Sequence, residues 1–266
     1  DITNTTSGTI TIKASVPTTN QVIVSVSNGE VTIMAAINVS LKPALEENAI
    51  QVSEAGTLAI LLKNYDKNTI TTLKIIGSLN ASDIVTLNGL PQLSVIDLEN
   101  VYLEEIPHFA FASNNTLTSI ILPRTLKKIG AMSFQRCKSL TSLTIPKNVT
   151  IIENGAFLGC RGFTGSLIIP QNITTIENDA FYGCEGFTGN LIIPENVVSI
   201  GNTTFYGCSG LTGSLRLPKS LTKIGSAAFK DCPQLSPVYC AVLAPFNIEN
   251  ACFANLSKLY VPKGCV

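Results

Sequence analysis

The sequence predicts a repeat solenoid of α/β type, dominated by β-structure: a right-handed stack with one continuous parallel sheet, a short N-terminal β segment and a helical cap. Three observations carry that prediction. Five stretches repeat one pattern: IILPRTLKKIGAMSFQRC, LTIPKNVTIIENGAFLGC, LIIPQNITTIENDAFYGC, LIIPENVVSIGNTTFYGC and LRLPKSLTKIGSAAFKDC. Their prolines fall at Pro123, Pro146, Pro170, Pro194 and Pro218 and their phenylalanines at Phe134, Phe157, Phe181, Phe205 and Phe229, a regular step that lengthens by one after the first interval. A period of roughly two dozen residues means a solenoid, because one unit cannot bury both its strand face and its Phe without a neighbour above and below. Third, strand-like triplets recur at nine positions: LKI from 73, IDL from 96, IIL from 120, LTI from 143, LII from 167, LII from 191, LRL from 215, VYC from 238 and LYV from 259. Parallel strands about 4.8 Å apart would make these a face roughly 40 Å long.

Taken in chain order, residues 1–44 alternate apolar and polar side chains in TITIKA, VIVSVS and VTIMA, which reads as two or three short strands. The Asn28-Gly29 pair between two of these runs is a hairpin signal. Residues 45–70 are expected to form a helical cap, with Ser53 as N-cap and Leu58, Leu61 and Leu62 on the apolar side. A cap is needed because the first repeat would otherwise expose an apolar face and a strand edge. Residues 71–266 form the solenoid, weakly patterned at first and strongly so from Leu117. Within each triplet the outer residues, such as Leu167 and Ile169, point inward and the middle one, Ile168, points out, since strand side chains alternate. Proline then ends the strand, where its missing N–H costs no ladder bond. On the outer limb Val149, Ile152 and Phe157, and likewise Val197, Ile200 and Phe205, supply the core.

Composition excludes several functions. Lys plus Arg equals Asp plus Glu at 18 each, so no global field attracts nucleic acid or an anionic membrane. No apolar run approaches the roughly 20 residues of a spanning helix. The low charged fraction, 14%, together with abundant Thr, Ser and Asn, suits an extracellular β-rich protein better than a cytosolic enzyme. Sequon-like triplets, as at Asn80 and Asn148, follow from that composition and read as turn and surface chemistry.

Five of the eight cysteines recur at repeat length, Cys137, Cys160, Cys184, Cys208 and Cys232. They lack the close pairs of a zinc site. In-register stacking keeps their Cβ atoms farther apart than a disulfide needs, so they read as reduced, buried thiols. Cys240, Cys252 and Cys265 lie off that column, and the sequence does not choose a pair among them. The chain has one histidine, His108, in EEIPHFAF, read as a surface or packing residue, since no nucleophile is held against it. Carboxylate pairs such as Glu104 with Glu105, or Asp97 with Glu99, read as a solvated face. The glycines of GFTGS and GLTGS recur at repeat spacing as turn formers rather than phosphate loops. No catalytic residue, metal ligand or cofactor is assigned.

The surviving functional signal is the row of middle strand residues: Lys74, Asp97, Ile121, Thr144, Ile168, Ile192, Arg216, Tyr239 and Tyr260. Its centre is apolar and its far end aromatic. Ile168 and Ile192 beside Arg216, Tyr239 and Tyr260 make a protein-contact patch, because Tyr and Arg are enriched at interface hot spots. Ser166, Asn190 and Ser214 flank it with hydrogen-bonding groups.

The motif L-x-I-P-x-x-[VIL]-x-x-I-x-x-x-[AST]-F-x-x-C resembles the BspA-like leucine-rich repeat family of bacterial cell-surface proteins, abundant in gut and oral Bacteroidetes. The likeness covers about residues 70 to 266, and AGTLAILLKNYDKNTITTLKIIGSLNASDI also looks like the family's entry region. The ending VYCAVLAPFNIENACFANLSKLYVPKGCV resembles its closing repeats, which a further C-terminal stretch normally follows; whether the native chain continues past Val266 stays open. The resemblance implies export, a cell-surface place, often through a lipid anchor upstream or a larger surface protein, and no catalysis. It implies a secreted or displayed adhesin whose ligand is a host or cell-surface protein. Two other readings stand beside it: a carbohydrate-binding component of a surface glycan system, with Tyr239 and Tyr260 stacking on sugar rings, and a passive spacer.

Overall fold

The computed structural model describes residues 21–27, 32–38, 49–242, 247–248, 253 and 259–261. The chain divides into two compact units, Asp1–Pro43 and Ala44–Val266. In the first, Gln21–Ser27 and Thr32–Asn38 pair antiparallel, Gln21 opposite Asn38 and Ser27 opposite Thr32. The runs VIVSVS and VTIMA contribute to these strands, whereas TITIKA and Asn28-Gly29 lie outside the described residues.

The second unit opens differently from the helical cap expected over 45–70. Ile50–Val52 is already a strand, parallel to Thr72–Ser78 with Ile50 opposite Ile75. Ser53 does not cap the helix that follows. Gly56, at φ +94°, turns the chain, and the α-helix is the short Leu58–Leu61 with Thr57 at its N-cap, continued by a 3-10 turn over Leu62–Asn64. Leu58 and Leu62 are buried; Leu61 is not. A second helix, Ala81–Asn88, was not read from the sequence. It starts at a capping box: the Asn80 side chain accepts the Ser82 and Asp83 N–H groups while the Asp83 carboxylate accepts the Asn80 N–H. Asp83 is buried, and its two oxygens also take the N–H groups of Gly56 at 2.6 Å and Leu58 at 3.0 Å. One carboxylate thus satisfies donors from both helical segments, which is what makes a buried charge tolerable.

Beyond these caps the chain winds into parallel rungs. The wide face carries two four-stranded blocks, one running from Ile50–Val52 through Thr72–Ser78 and Val95–Tyr102 to Ser119–Ile121. The other joins Gly189–Ile192, Leu211–Leu217, Gln234–Cys240 and Leu259–Tyr260. The single continuous sheet expected on this face is therefore interrupted at the rungs of 143–145 and 167–169, which lie on either side of the point where the repeat step lengthens. Gly165, at φ +75°, turns the chain ahead of the second of these rungs. The stack itself runs on through the break: Thr141 N–H donates to the Thr118 carbonyl at 3.1 Å, Thr164 N–H to Thr141 at 2.9 Å and Thr188 N–H to Gly165 at 2.8 Å. On the outer limb a second, narrow ladder of seven two-residue strands, from Glu105–Ile106 to Asn247–Ile248, is unbroken and in register at Ile106, Ile129, Ile152, Ile176, Ile200, Ile224 and Ile248.

The core lies between the two ladders. Phe111, Phe134, Phe157, Phe181, Phe205, Phe229 and Phe253 stack in one column with centroids 5.2 to 5.5 Å apart. The column extends the five repeats read from the sequence by one rung at each end. A second stack missed by the sequence reading, Phe163 on Phe187 at 4.7 Å, meets the first edge-on; the Phe of each GFTG turn faces inward while its glycines turn the chain. Each proline opens a turn, its carbonyl accepting the N–H three residues on, as Pro170 does from Ile173 at 3.1 Å. The Sγ atoms of Cys137, Cys160, Cys184, Cys208 and Cys232 each donate to a Phe carbonyl of the preceding rung at 2.9 to 3.1 Å. All five are free thiols, as is Cys240; Cys252 and Cys265 lie outside the described residues.

Candidate functional site

The wide face presents the row of middle strand residues on a backbone whose alternation is visible in burial. Leu167 and Ile169 are buried while Ile168 between them is 73% exposed; Leu191 and Ile193 are buried while Ile192 is 68% exposed. Register places Ile192 beside Arg216, Arg216 beside Tyr239 and Tyr239 beside Tyr260. Toward the other end Lys74 lies beside Asp97 and Asp97 beside Ile121. Thr144 and Ile168 stand exposed on the two rungs of the break.

The row is chemically graded. At its start Lys74 Nζ is 3.5 Å from Asp97 Oδ2, so the charges are spent on each other. Ile121, Thr144, Ile168 and Ile192 form an uncharged middle. Arg216 follows, its Nε 3.8 Å from Glu195 Oε1 and its side chain 74% exposed, a contact too loose to withdraw the guanidinium from solvent. The far end is the Tyr239–Tyr260 pair, stacked with centroids 4.9 Å apart and planes 13° apart. Ser166, Asn190 and Ser214 are exposed alongside. Asn190 is not a free-standing amide: it leans along the stack, and a Cβ on Gly213 would lie 2.1 Å from its Oδ1. All eight residues singled out in the sequence therefore share one face of the second unit.

The register also assembles a group of side chains that linear spacing hides. Glu105, His108 and Glu153 bring one nitrogen and two carboxylate oxygens within 4.8 Å of one another on the outer limb. Burial opposes ionisation of Glu153, but the hydrogen bond and charge of Lys128, the Ala131 N–H and His108 outweigh it and hold its carboxyl below the usual range. The hydrogen bond from Lys128 to Glu105 leads the effects that raise the Lys128 ammonium above its ordinary value. In sequence only EEIPHFAF looked irregular, and nothing there pointed to Glu153.

The BspA type Leucine rich repeat region family matches residues 65–188 and 187–264, in six copies. Among solved structures, a leucine rich repeat protein of T. pallidum is 19% identical over 74% of this chain and 74% of its own, with a TM-score of 0.51. A leucine rich cell surface protein from Faecalibacterium prausnitzii is 27% identical over 56% of this chain and 46% of its own, with a TM-score of 0.46. A leucine-rich repeat protein from Bacteroides ovatus is 19% identical over 91% of this chain and 75% of its own, with a TM-score of 0.42. No curated protein matches the chain.

Proposed function

This chain belongs to the BspA-type leucine-rich repeat family, and from that premise we propose that it is a non-catalytic, exported surface protein that binds a host or cell-surface protein through its wide face. The observation that carries the reading is the exposure of Ile168 and Ile192, 73% and 68%, on adjacent rungs whose neighbours point the same way. Two β-branched apolar side chains have few rotamers to lose on contact, and they gain about 25 cal/mol for each Å² removed from water. Arg216 next to them supplies a fork of donors, and Ser166 and Ser214 a polar rim, the usual anatomy of a protein contact. No helix among the described residues is long and apolar enough to cross a membrane; in this reading a lipid anchor upstream or a larger surface protein provides display.

Sugar recognition by the tyrosines is less well supported by the ring geometry. Stacking on a sugar needs a free aromatic face, and Tyr239 has Tyr260 against one face at 4.9 Å and the Arg216 rung on the other side. Both rings remain partly exposed, 44% and 47%, and a tyrosine hydroxyl can donate to or accept from a protein partner.

The deciding experiment is affinity capture on host extracellular-matrix and mucin fractions with the natural chain and with the Ile168→Asp, Ile192→Asp double variant. Loss of a specific captured protein in the variant supports the reading; equal capture by both overturns it. A glycan array that responds to the natural chain and is silenced by Tyr239→Ala, while matrix proteins give no signal, establishes the carbohydrate alternative instead.

A further inference from the structure

We propose that Glu105, His108 and Glu153 form a divalent transition-metal site on the outer limb, suited to Zn²⁺, with the Lys128 ammonium as its built-in competitor. The repeat supplies its own control. Register aligns Glu105 with Lys128, Ile151, Thr175, Ser199 and Lys223. One residue past the aligned isoleucines the chain has Pro107, Gly130, Glu153, Glu177, Gly201 and Gly225, and two residues past it His108, Ala131, Asn154, Asn178, Asn202 and Ser226. Only around the first of these rungs does an imidazole meet carboxylates from two sides.

The geometry is specific to these rungs. His108 and Glu153 lie two rungs apart, a separation of about 10 Å at ladder spacing. Even so, His108 Nε2 is 2.9 Å from Glu153 Oε2. The gap closes because the imidazole lies across the intervening rung at Gly130, where a Cβ would come within 2.9 Å of His108 Cδ2 and 2.4 Å of the Ile106 carbonyl. Glu153 reaches back from the other side, fixed by the Ala131 N–H at 3.0 Å from Oε2, the kind of outer support that orients metal ligands. Glu105 Oε1 completes the set at 3.8 Å from Nε2. Bonds of about 2.0–2.2 Å in a tetrahedral site put ligand atoms roughly 3.3–3.6 Å apart, and the two distances from Nε2 bracket that value.

The site already holds a cation. Lys128 Nζ sits 2.8 Å from Glu105 Oε1 and 3.2 Å from Glu153 Oε1, neutralising one of the two carboxylate charges. Its side chain is 30% exposed, so it has room to swing out when a dication replaces it. His108 is 55% exposed, which gives an ion access and leaves the remaining coordination position to water. One imidazole and two carboxylates favour Zn²⁺ over Ca²⁺ or Mg²⁺, which require six or more oxygens or retain most of their waters.

The test is calorimetric titration of the whole chain with Zn²⁺, and separately with Mg²⁺, at neutral pH. The expected result is one Zn²⁺ per chain, weakened at least tenfold in both His108→Ala and Glu153→Gln, tightened about tenfold in Lys128→Met through loss of the competing charge, and unchanged in Glu99→Gln. Glu153 is the least exposed of the four positions, its side chain 18% accessible, and thermal melting confirms that each variant folds. Zn²⁺ binding that survives His108→Ala undiminished places the ion elsewhere, for example on cysteine, and overturns the proposal. So does the absence of Zn²⁺ binding in both the natural chain and Lys128→Met.

Discussion

Phe157 and Phe181, one repeat apart in sequence, stack with ring centroids 5.4 Å apart and planes within 9° of parallel. Each ring is fully buried and is shared by the rungs on either side. Replacing Phe181 by Ala should therefore cost about 3–5 kcal/mol, the range for a buried aromatic truncated to Ala. The pair should also couple: in a double-mutant cycle with Phe157→Ala the two losses should depart from additivity by about 0.5–3 kcal/mol. Urea unfolding of the four proteins measures this, and additive losses would mean that the rings fill space independently of one another.

Asp83 offers a sharper test of the N-terminal cap. Its carboxylate accepts the N–H groups of Gly56, Leu58 and Asn80 at 2.6 to 3.0 Å. Asp83→Ala removes charge-assisted acceptors and strands buried donors, a loss of about 3 kcal/mol or more. Hydrogen exchange should show the loosening concentrated over residues 50–90, with the rungs beyond Leu117 protected as before. An even rise in exchange along the stack would show that the carboxylate supports the whole solenoid rather than its cap.

The alternation on the wide face predicts opposite outcomes for adjacent residues. Ile168 is 73% exposed and Ile169 is 5% exposed. Ile168→Asp should leave unfolding free energy within about 0.5 kcal/mol of the natural chain, as surface changes do. Ile169→Asp forces a carboxylate into the core and should lower stability by several kcal/mol or prevent folding. Equal effects of the two substitutions would remove the basis for treating Ile168 as a contact residue.

What the sequence revealed and what it hid follow from one physical distinction. Features that recur once per repeat meet their own copies in the next rung, so the Phe column, the Cys column and the exposed Ile168 and Ile192 could be read without coordinates. Features that occur once had no such copy. The helix Ala81–Asn88 sits where the repeat is weakest, and its signal was the local pair Asn80 and Asp83 at capping-box spacing. Phe163 and Phe187 do recur, but within glycine-rich turns whose turn chemistry masked an inward aromatic. The break in the wide ladder falls at rungs whose triplets, LTI and LII, carry the same hydrophobic pattern as the paired rungs beside them, so that pattern does not encode it. Glu105, His108 and Glu153 converge only because Gly130 leaves the imidazole room to cross a rung, a relationship among four residues drawn from three successive rungs.

The thiol column predicts a distinctive response to pH. Burial pushes the Cys232 thiol up to about 12 from an ordinary 9.0, and raises those of Cys184 and Cys208 as well. Below pH 9 these thiols are protonated whether the chain is folded or not, and they make no pH-dependent contribution. Between pH 9 and 12 the unfolded chain releases their protons while the folded chain holds them, so the unfolded state gains. Each such thiol then lowers stability by about 1.4 kcal/mol per pH unit. Urea midpoints should be level from pH 7 to 8.5 and fall progressively from pH 9 to 11. The fall should be shallower when Cys184 and Cys208 are both replaced by Ala, even though that protein is less stable at neutral pH. Identical slopes in the two proteins would show that the thiols ionise in place, and that their hydrogen bonds to the Phe carbonyls do not hold the column closed.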